Sequence, residues 1–391
     1  MRTAIILLAI LALLATVGTL LPQIPQQPQG VMGFVLRHPY SAPWLARLGL
    51  FDIFSSWPFI ITAALMYVSI GASMFIRVPA AWRRFAVQGQ RNRALFAEIA
   101  SIIFHASFFL LLIGVLLGKA GGFVGNAAVV EGDSFVEARA NYDNLSEGVL
   151  SGPHANFEVK IDSFRALYWP SGAPKDFTSR VRIFDNGRLV ESKSIQVNHY
   201  LEYRGVKLYQ AGYGWAPTLK IETPDGRVVA DGPTIFVGDP QLANGVIKAP
   251  SAGPGDQQLG ATAIFMPDPR IQNQAISPGT PQLKTPLLLV RLFRGDLHLN
   301  QPQNVFTLDT GNMDLRWRGA LRLGDTVTTP DGYRLTFTGL KQYTDLTINK
   351  DPGISIVLAA FIIGLSALIL SLYLPLLGPE QHLAPARQFT D

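Results

Sequence analysis

Residues 99–118, IASIIFHASFFLLLIGVLLG, contain no formally charged side chain. Coiled into a helix, about 20 such residues cross the roughly 30 Å hydrocarbon core of a bilayer. One side chain in the run resists that solvent, and it is His105. At a rise of about 1.5 Å per residue its ring lies about 10 Å past Glu98, roughly a third of the way across. A polar, titratable group at that depth needs a partner helix, a cavity or a bound ligand.

Three further runs share this character, at residues 3–21, 53–76 and 354–377. The first has the look of a secretory signal. Ala15-Thr16-Val17 and its neighbours give no convincing small-x-small cleavage site, so an uncleaved helix is expected. The following PQIPQQPQG cannot continue a helix, and Pro43-Trp44-Leu45-Ala46-Arg47 suits a membrane surface. The second run opens FSSWPF, with Trp57 at headgroup level and Pro58 tolerable near a helix start. It ends in a basic stretch holding Arg77, Arg83, Arg84, Arg91 and Arg93. By the positive-inside rule this stretch is a cytoplasmic loop, although Trp82 and Phe85 also allow an interfacial helix. The His105 run then starts inside and exits at Lys119, and the run after Pro352-Gly353 returns to the cytoplasm. The expected layout has a membrane region at 1–118 with three spans and an extracytoplasmic domain at 119–352. A fourth span follows at 353–377, then a cytoplasmic tail at 378–391.

The intervening domain reads as mainly β. FTSRVRIFDNGRLVESKSIQV puts Phe177, Ser179, Val181 and Ile183 on one face and Thr178, Arg180 and Arg182 on the other. Asp185-Asn186-Gly187 supplies the positive-φ positions of a tight hairpin. TLKIETPDGRVV repeats the pattern around Pro224-Asp225-Gly226, and LLLVRLFRGDLHL repeats it around Gly295. Successive hairpins imply an antiparallel sandwich or open barrel. Residues 240–286, rich in Pro, Gly and Gln, are expected to be an irregular insertion. The fold class is thus an α-helical membrane protein with four transmembrane helices and a large mainly-β extracytoplasmic domain.

Composition closes several routes. The chain has no cysteine, which excludes disulfides, thiolate metal sites and thiol chemistry of its own. Its 33 Lys plus Arg against 28 Asp plus Glu do not argue for nucleic acid, because much of the local excess flanks a hydrophobic run. No nucleotide loop, metal-helix signature or nucleophile elbow occurs. Asp185 and Glu191 flank turns and are not an acid/base pair.

His105 is therefore the candidate site residue. On its helical face lie Ser101, Ile102, Phe108 and Phe109. Two readings stand side by side. In one the ring is bonded to a serine or carbonyl of a neighbouring helix, worth about 0.6–2 kcal/mol. In the other it is an axial ligand to haem iron with the phenylalanines at the porphyrin edge. No second histidine lies in the other runs, so a second axial ligand would come from another protein. His38, His154, His199, His298 and His382 are scattered without metal-ligand spacing. His199 lies in the Tyr- and Gly-rich VNHYLEYRGVKLYQAGYGW, which reads first as a strand-turn-strand unit with buried rings and paired hydroxyls.

GTLLPQ from Gly18, FSSWPF, HASFFLLLIGVLLG from His105, GFVGNAAVVEGDSF, VNHYLEYRGVKLYQAGYG and Asp351-Pro352-Gly353 resemble the ResB family of cytochrome c biogenesis proteins. The resemblance runs through nearly the whole chain in the same order. It departs in the missing cysteines and in 240–286. It implies an inner-membrane subunit that pairs with a multi-span ResC/CcsA-type protein, embedded in membrane lipid. Together the two would export haem and attach it to apocytochrome c, without nucleic acid. Haem would be held transiently and shared. The resemblance gives His105 the role of haem iron ligand near the cytoplasmic side, with the partner supplying the other ligand. It carries no ligand role to His199. The competing expectation is a membrane-anchored β-domain scaffold with no haem role.

Overall fold

The computed structural model describes residues 2–24, 28–169, 171–254, 257–272, 275–300 and 306–376. The expected tail at 378–391 and His382 lie outside them. The chain divides into two units, one formed by residues up to Leu116 and from Gly353 onward, the other by Leu117–Pro352.

The first unit is helical, with α1 (Arg2–Leu20), α2 (Pro28–Arg37), α3 (Ala42–Arg47), α4 (Trp57–Trp82), α5 (Arg93–Gly121) and α6 (Ile354–Tyr373). α1, α4, α5 and α6 are each long and apolar enough to cross a membrane. Large apolar side chains such as Phe75 and Phe361 face outward, as lipid-facing residues do. The basic stretch differs from expectation. α4 continues through Arg77 and past Pro79, then into a π turn over Arg83–Val87. Only residues 88–92 separate it from α5. Arginine stems are apolar enough to stay on a helix while their heads reach water, so charge alone does not end it.

Two of the sequence stretches prove to be halves of one joint. A Cβ at Gly18 would lie 2.8 Å from the tip of the Phe54 ring, so a larger residue there would make that ring shift. Buried Gln23 donates to the Leu21 and Leu50 carbonyls and accepts from the Ile53 N–H, pinning the end of α1 to the approach to α4. α5 and α6 meet through small residues. A Cβ at Gly114 would lie 2.9 Å from the Val357 nitrogen, and Gly364 lies against Ser107. Close backbone approach of this kind is how helices associate where no hydrophobic effect drives them together.

The second unit is antiparallel β. One sheet has the order β3 (Asn144–Glu147), β1 (Phe123–Val130), β18 (Arg334–Lys350), β8 (Val206–Glu222), β7 (Leu201–Tyr203). β17 (Thr326–Thr328) pairs with β18, and β9 (Val228–Ala230) with β8. The second sheet is β2 (Ser134–Val136), β4 (Glu158–Tyr168), β5 (Pro174–Asp185), β6 (Arg188–Gln196). The third is β10 (Val237–Asp239), β11 (Leu242–Ala249), β12 (Leu259–Met266), β15 (Leu287–Arg294), β16 (Asp314–Arg322). A two-stranded ribbon is made by β13 (Pro269–Gln272) and β14 (Ala275–Pro278).

The paired 17-residue strands β8 and β18 are the spine of the unit. Toward one end their residues Leu208, Leu346 and Ile348 pack with Val159, Val181 and Ile183 of the second sheet. Toward the other, Leu219, Ile221, Leu335 and Phe337 pack with Phe265, Leu288 and Leu292 of the third. The result is two sandwiches in series on shared strands, and no closed barrel. Register shifts at Asp345/Leu346 and Phe337/Gly339 let the long pair twist enough to serve both. Ser179, Gln210 and Thr344 form a fully buried hydrogen-bonded cluster between the first two sheets.

The expected β5–β6 hairpin is present, with Asn186 and Gly187 at φ 49° and 74°. The β8–β9 hairpin around Pro224-Asp225-Gly226 is present as well. Two expectations fail. Residues 240–286 are not irregular, because they carry β11 to β14, and Ala243, Ala249, Leu259, Ala261 and Phe265 among them are buried in a core. The Pro, Gly and Gln content belongs largely to the connections. The hairpin around Gly295 is also absent, since β15 pairs with β16 instead. Asp296 accepts from the His298 N–H, His298 turns through φ 51°, and Leu297 is buried.

Candidate functional site

On α5 the imidazole of His105 turns back along its own helix. Nδ1 lies 2.6 Å from the Ser101 carbonyl oxygen, one turn away. A carbonyl only accepts, so Nδ1 carries the hydrogen, and the tautomer this selects has its lone pair on Nε2. Nε2 has no hydrogen-bond partner among the described residues. The expected bond to a neighbouring helix is thus replaced by one within the helix.

His105 belongs to the α4-facing stripe of α5. Glu98 forms an ion pair with Arg84 of the π turn that follows α4. The Ser101 hydroxyl accepts from Arg77 Nη2 at 3.3 Å. Phe109 meets Tyr67 edge-on at 5.6 Å, and its ring lies 3.6 Å from where a Cβ of Gly71 would be. Residues 98, 101, 105 and 109 follow the three- and four-residue spacing of one helix face. His105 therefore lies between the residues that touch α4, while Ser107 and Gly114 serve α6. Of the phenylalanines expected beside the ring, Phe109 is engaged by α4. Phe104 is the close one, at 5.3 Å from His105 and 5.1 Å from Phe108.

This geometry suits metal ligation in a specific way. A ring whose Nδ1–H is held by a carbonyl presents Nε2 in a fixed direction and with raised basicity. The described residues contain no cluster of three or more His, Cys, Asp or Glu able to hold a bare ion. A metal held by His105 would need its further ligands from outside the described residues, as iron in a porphyrin brings them. The residues present fit such a group.

A second histidine is placed oppositely. His154 of the β unit bridges two carboxylates, with Nδ1 2.5 Å from Glu137 and Nε2 2.7 Å from Glu147. Both nitrogens face acceptors, so the ring is a cation. Glu137 is fully buried and also accepts from the Tyr142 hydroxyl at 2.8 Å and the Ala155 N–H at 2.6 Å. Arg139 completes a charge-neutral group of four through Glu147 at 2.8 Å. Burial would lower the His154 pKa, but the bonds to Glu137 and Glu147 and their charges outweigh it and raise it. No spacing in the sequence signals this cluster, whose members come from turns and a short strand. Nor does it signal Arg77, which reads as one loop cation among several. His199 is exposed at the turn before β7, with Nδ1 3.4 Å from its neighbour's carbonyl at Val197. His38 packs on Phe34 at 4.5 Å.

A family model described as the ResB-like family matches residues 1–94 and 86–376. The chain is 26% identical over 284 residues to a protein of Microcystis aeruginosa named cytochrome c biogenesis protein CcsB, covering 72% of this chain and 54% of that one. It is 27% identical over 282 residues to the protein of that name from Gloeobacter violaceus, covering 72% and 52%. A shorter match, 35% identical over 132 residues, joins it to cytochrome c biogenesis protein Ccs1 of Rhodomonas salina, covering 32% and 29%. The chain spans about half the length of the first two relatives.

Proposed function

The chain belongs to the ResB-like family, and from that premise we propose that it is a membrane subunit of cytochrome c assembly that binds haem through His105 Nε2. Haem is its cargo, shared with a multi-span ResC/CcsA-type partner and delivered to apocytochrome c. His105 Nε2 is one axial ligand and the partner supplies the other. The β unit is extracytoplasmic, both termini are cytoplasmic, and the membrane is the inner membrane. The arginines between α4 and α5 support that orientation, because a basic connection of this length is retained inside.

One observation carries the proposal. The bond from His105 Nδ1 to the Ser101 carbonyl orients the ring and leaves Nε2 without a partner among the described residues, one turn from the Ser101 side chain that meets Arg77 of α4. Bound iron protoporphyrin supplies the electrophilic carbon and metal for attachment. The chain's own part is to orient the ligand ring and offer an apolar wall at Phe104 and Phe108. The test is to co-express the chain with its partner, purify the complex in detergent and record haem absorption for wild type and His105→Ala. Haem content or its axial-ligand spectrum is expected to be lost in the variant. Unchanged content and spectrum would assign the chain to scaffolding.

A further inference from the structure

We propose that Arg77 is a second binding group of the His105 site, where its guanidinium pairs with a carboxylate of the metalloporphyrin. This rests on the haem-ligand reading of His105. Arg77 lies on α4, five residues before the helix ends at Trp82, and its charge is permanent. Several arginines meet carboxylates, among them Arg84 with Glu98, Arg182 with Asp162, Arg204 with Asp185 and Arg316 with Asp331, whereas Arg37 meets a carbonyl and Arg47 and Arg91 lie over aromatic rings. Among the described residues Arg77 has only a neutral partner, the Ser101 hydroxyl at 3.3 Å. A cation this near the end of a membrane helix either reaches water and headgroups or pairs with a group of opposite charge.

Ser101 links this cation to the histidine. Its carbonyl holds His105 Nδ1 and its hydroxyl meets Arg77 Nη2. The two side chains are thus registered by one residue, each meeting a different oxygen of Ser101. A ferric porphyrin bearing two propionates places its negative charge at one edge, several ångströms from the iron. With iron on His105 Nε2 and that edge turned toward the α4 end at Trp82, a propionate arrives at Arg77. One of the five guanidinium N–H groups is used by Ser101, which leaves a pair for bidentate binding of a carboxylate. The ligand is therefore recognised at both poles, its metal by an imidazole and its anionic rim by a guanidinium. A porphyrin that enters with its propionates turned the other way is not matched.

The test uses the full chain in phosphatidylcholine nanodiscs, without imidazole, which would itself replace the ring that His105→Gly removes. Iron protoporphyrin IX and its dimethyl ester are titrated into wild type, Arg77→Gln, Arg77→Lys and His105→Gly. Wild type is expected to bind the free acid about tenfold or more tightly than the ester, the scale of a charged hydrogen-bonded pair. Arg77→Gln should abolish that preference while keeping the histidine-ligated spectrum, and Arg77→Lys should retain part of it. If Arg77→Gln keeps the full preference, or weakens acid and ester equally, the carboxylate assignment is overturned and Arg77 anchors the helix in the bilayer. The histidine is scored separately. His105→Gly with an unchanged spectrum overturns the ligand reading even where the acid preference is lost in Arg77→Gln. No porphyrin bound by wild type overturns both.

Discussion

His105 and His154 lie in different units and use their ring nitrogens in different ways. His154 has both nitrogens committed to carboxylates within a nearly buried, charge-balanced cluster. His105 has one nitrogen held by a carbonyl of its own helix and the other unpartnered among the described residues. The first arrangement consumes the whole hydrogen-bonding capacity of the ring and holds the chain between residues 137 and 154 to β3. The second uses half of it to orient the rest. One ring is closed on both sides and belongs to the fold, whereas the other keeps Nε2 without a partner among the described residues.

That contrast is broken most directly by removing Glu137. Its carboxylate accepts from His154, Tyr142 and Ala155 in a fully buried site, so Glu137→Ala breaks one of the two ion pairs of His154 and leaves the Tyr142 hydroxyl and Ala155 N–H without their acceptor. A loss of about 3–5 kcal/mol is expected, seen as a collapse of protease resistance across the β unit of the detergent-solubilised chain. A variant that resists protease like wild type would show that the cluster is not structural.

The pH dependence of His154 sharpens the comparison at smaller amplitude. Its pKa in the fold is raised above the ordinary value near 6.5. The stability it contributes is complete below about 6.5 and fades as pH rises through the folded value. Wild type should therefore exceed His154→Gln by about 1–3 kcal/mol in mildly acidic buffer, and the gap should narrow above neutrality in thermal melts. A gap that widens with pH would reverse the sign of the argument.

The smallest effect is expected at His105. His105→Ala removes one side-chain bond to the backbone, worth about 0.6 kcal/mol in a membrane helix, so the melting temperature should hardly move. A large drop would make His105 a structural residue like His154.

Much of this was legible from residue patterns. Four apolar runs located the spans because backbone satisfaction in lipid leaves helices as the solution. The alternation of Val181 and Ile183 with Arg180 and Arg182 located a core strand, and Asn186-Gly187 its turn. The shared spine of β8 and β18 was not legible. Its register shifts near Gly212 and Gly339 invert the in-out alternation partway along each strand. The strands within 240–286 were masked by their Pro- and Gly-rich connections. His105 stood out because a titratable residue in an apolar run is conspicuous. Its tautomer depends on where a carbonyl lies, and Arg77 on which residue of α5 faces it, and neither follows from spacing.

The most direct measurement is chemical rescue. With the partner complex purified in detergent, His105→Gly removes the ring and leaves a space the size of imidazole. The haem spectrum of a bis-nitrogen-ligated iron is expected to disappear in His105→Gly and to return on adding imidazole, while His154→Gln keeps the wild-type spectrum throughout. A His105→Gly complex that shows the wild-type spectrum without imidazole would contradict the assignment of His105 Nε2 to the iron.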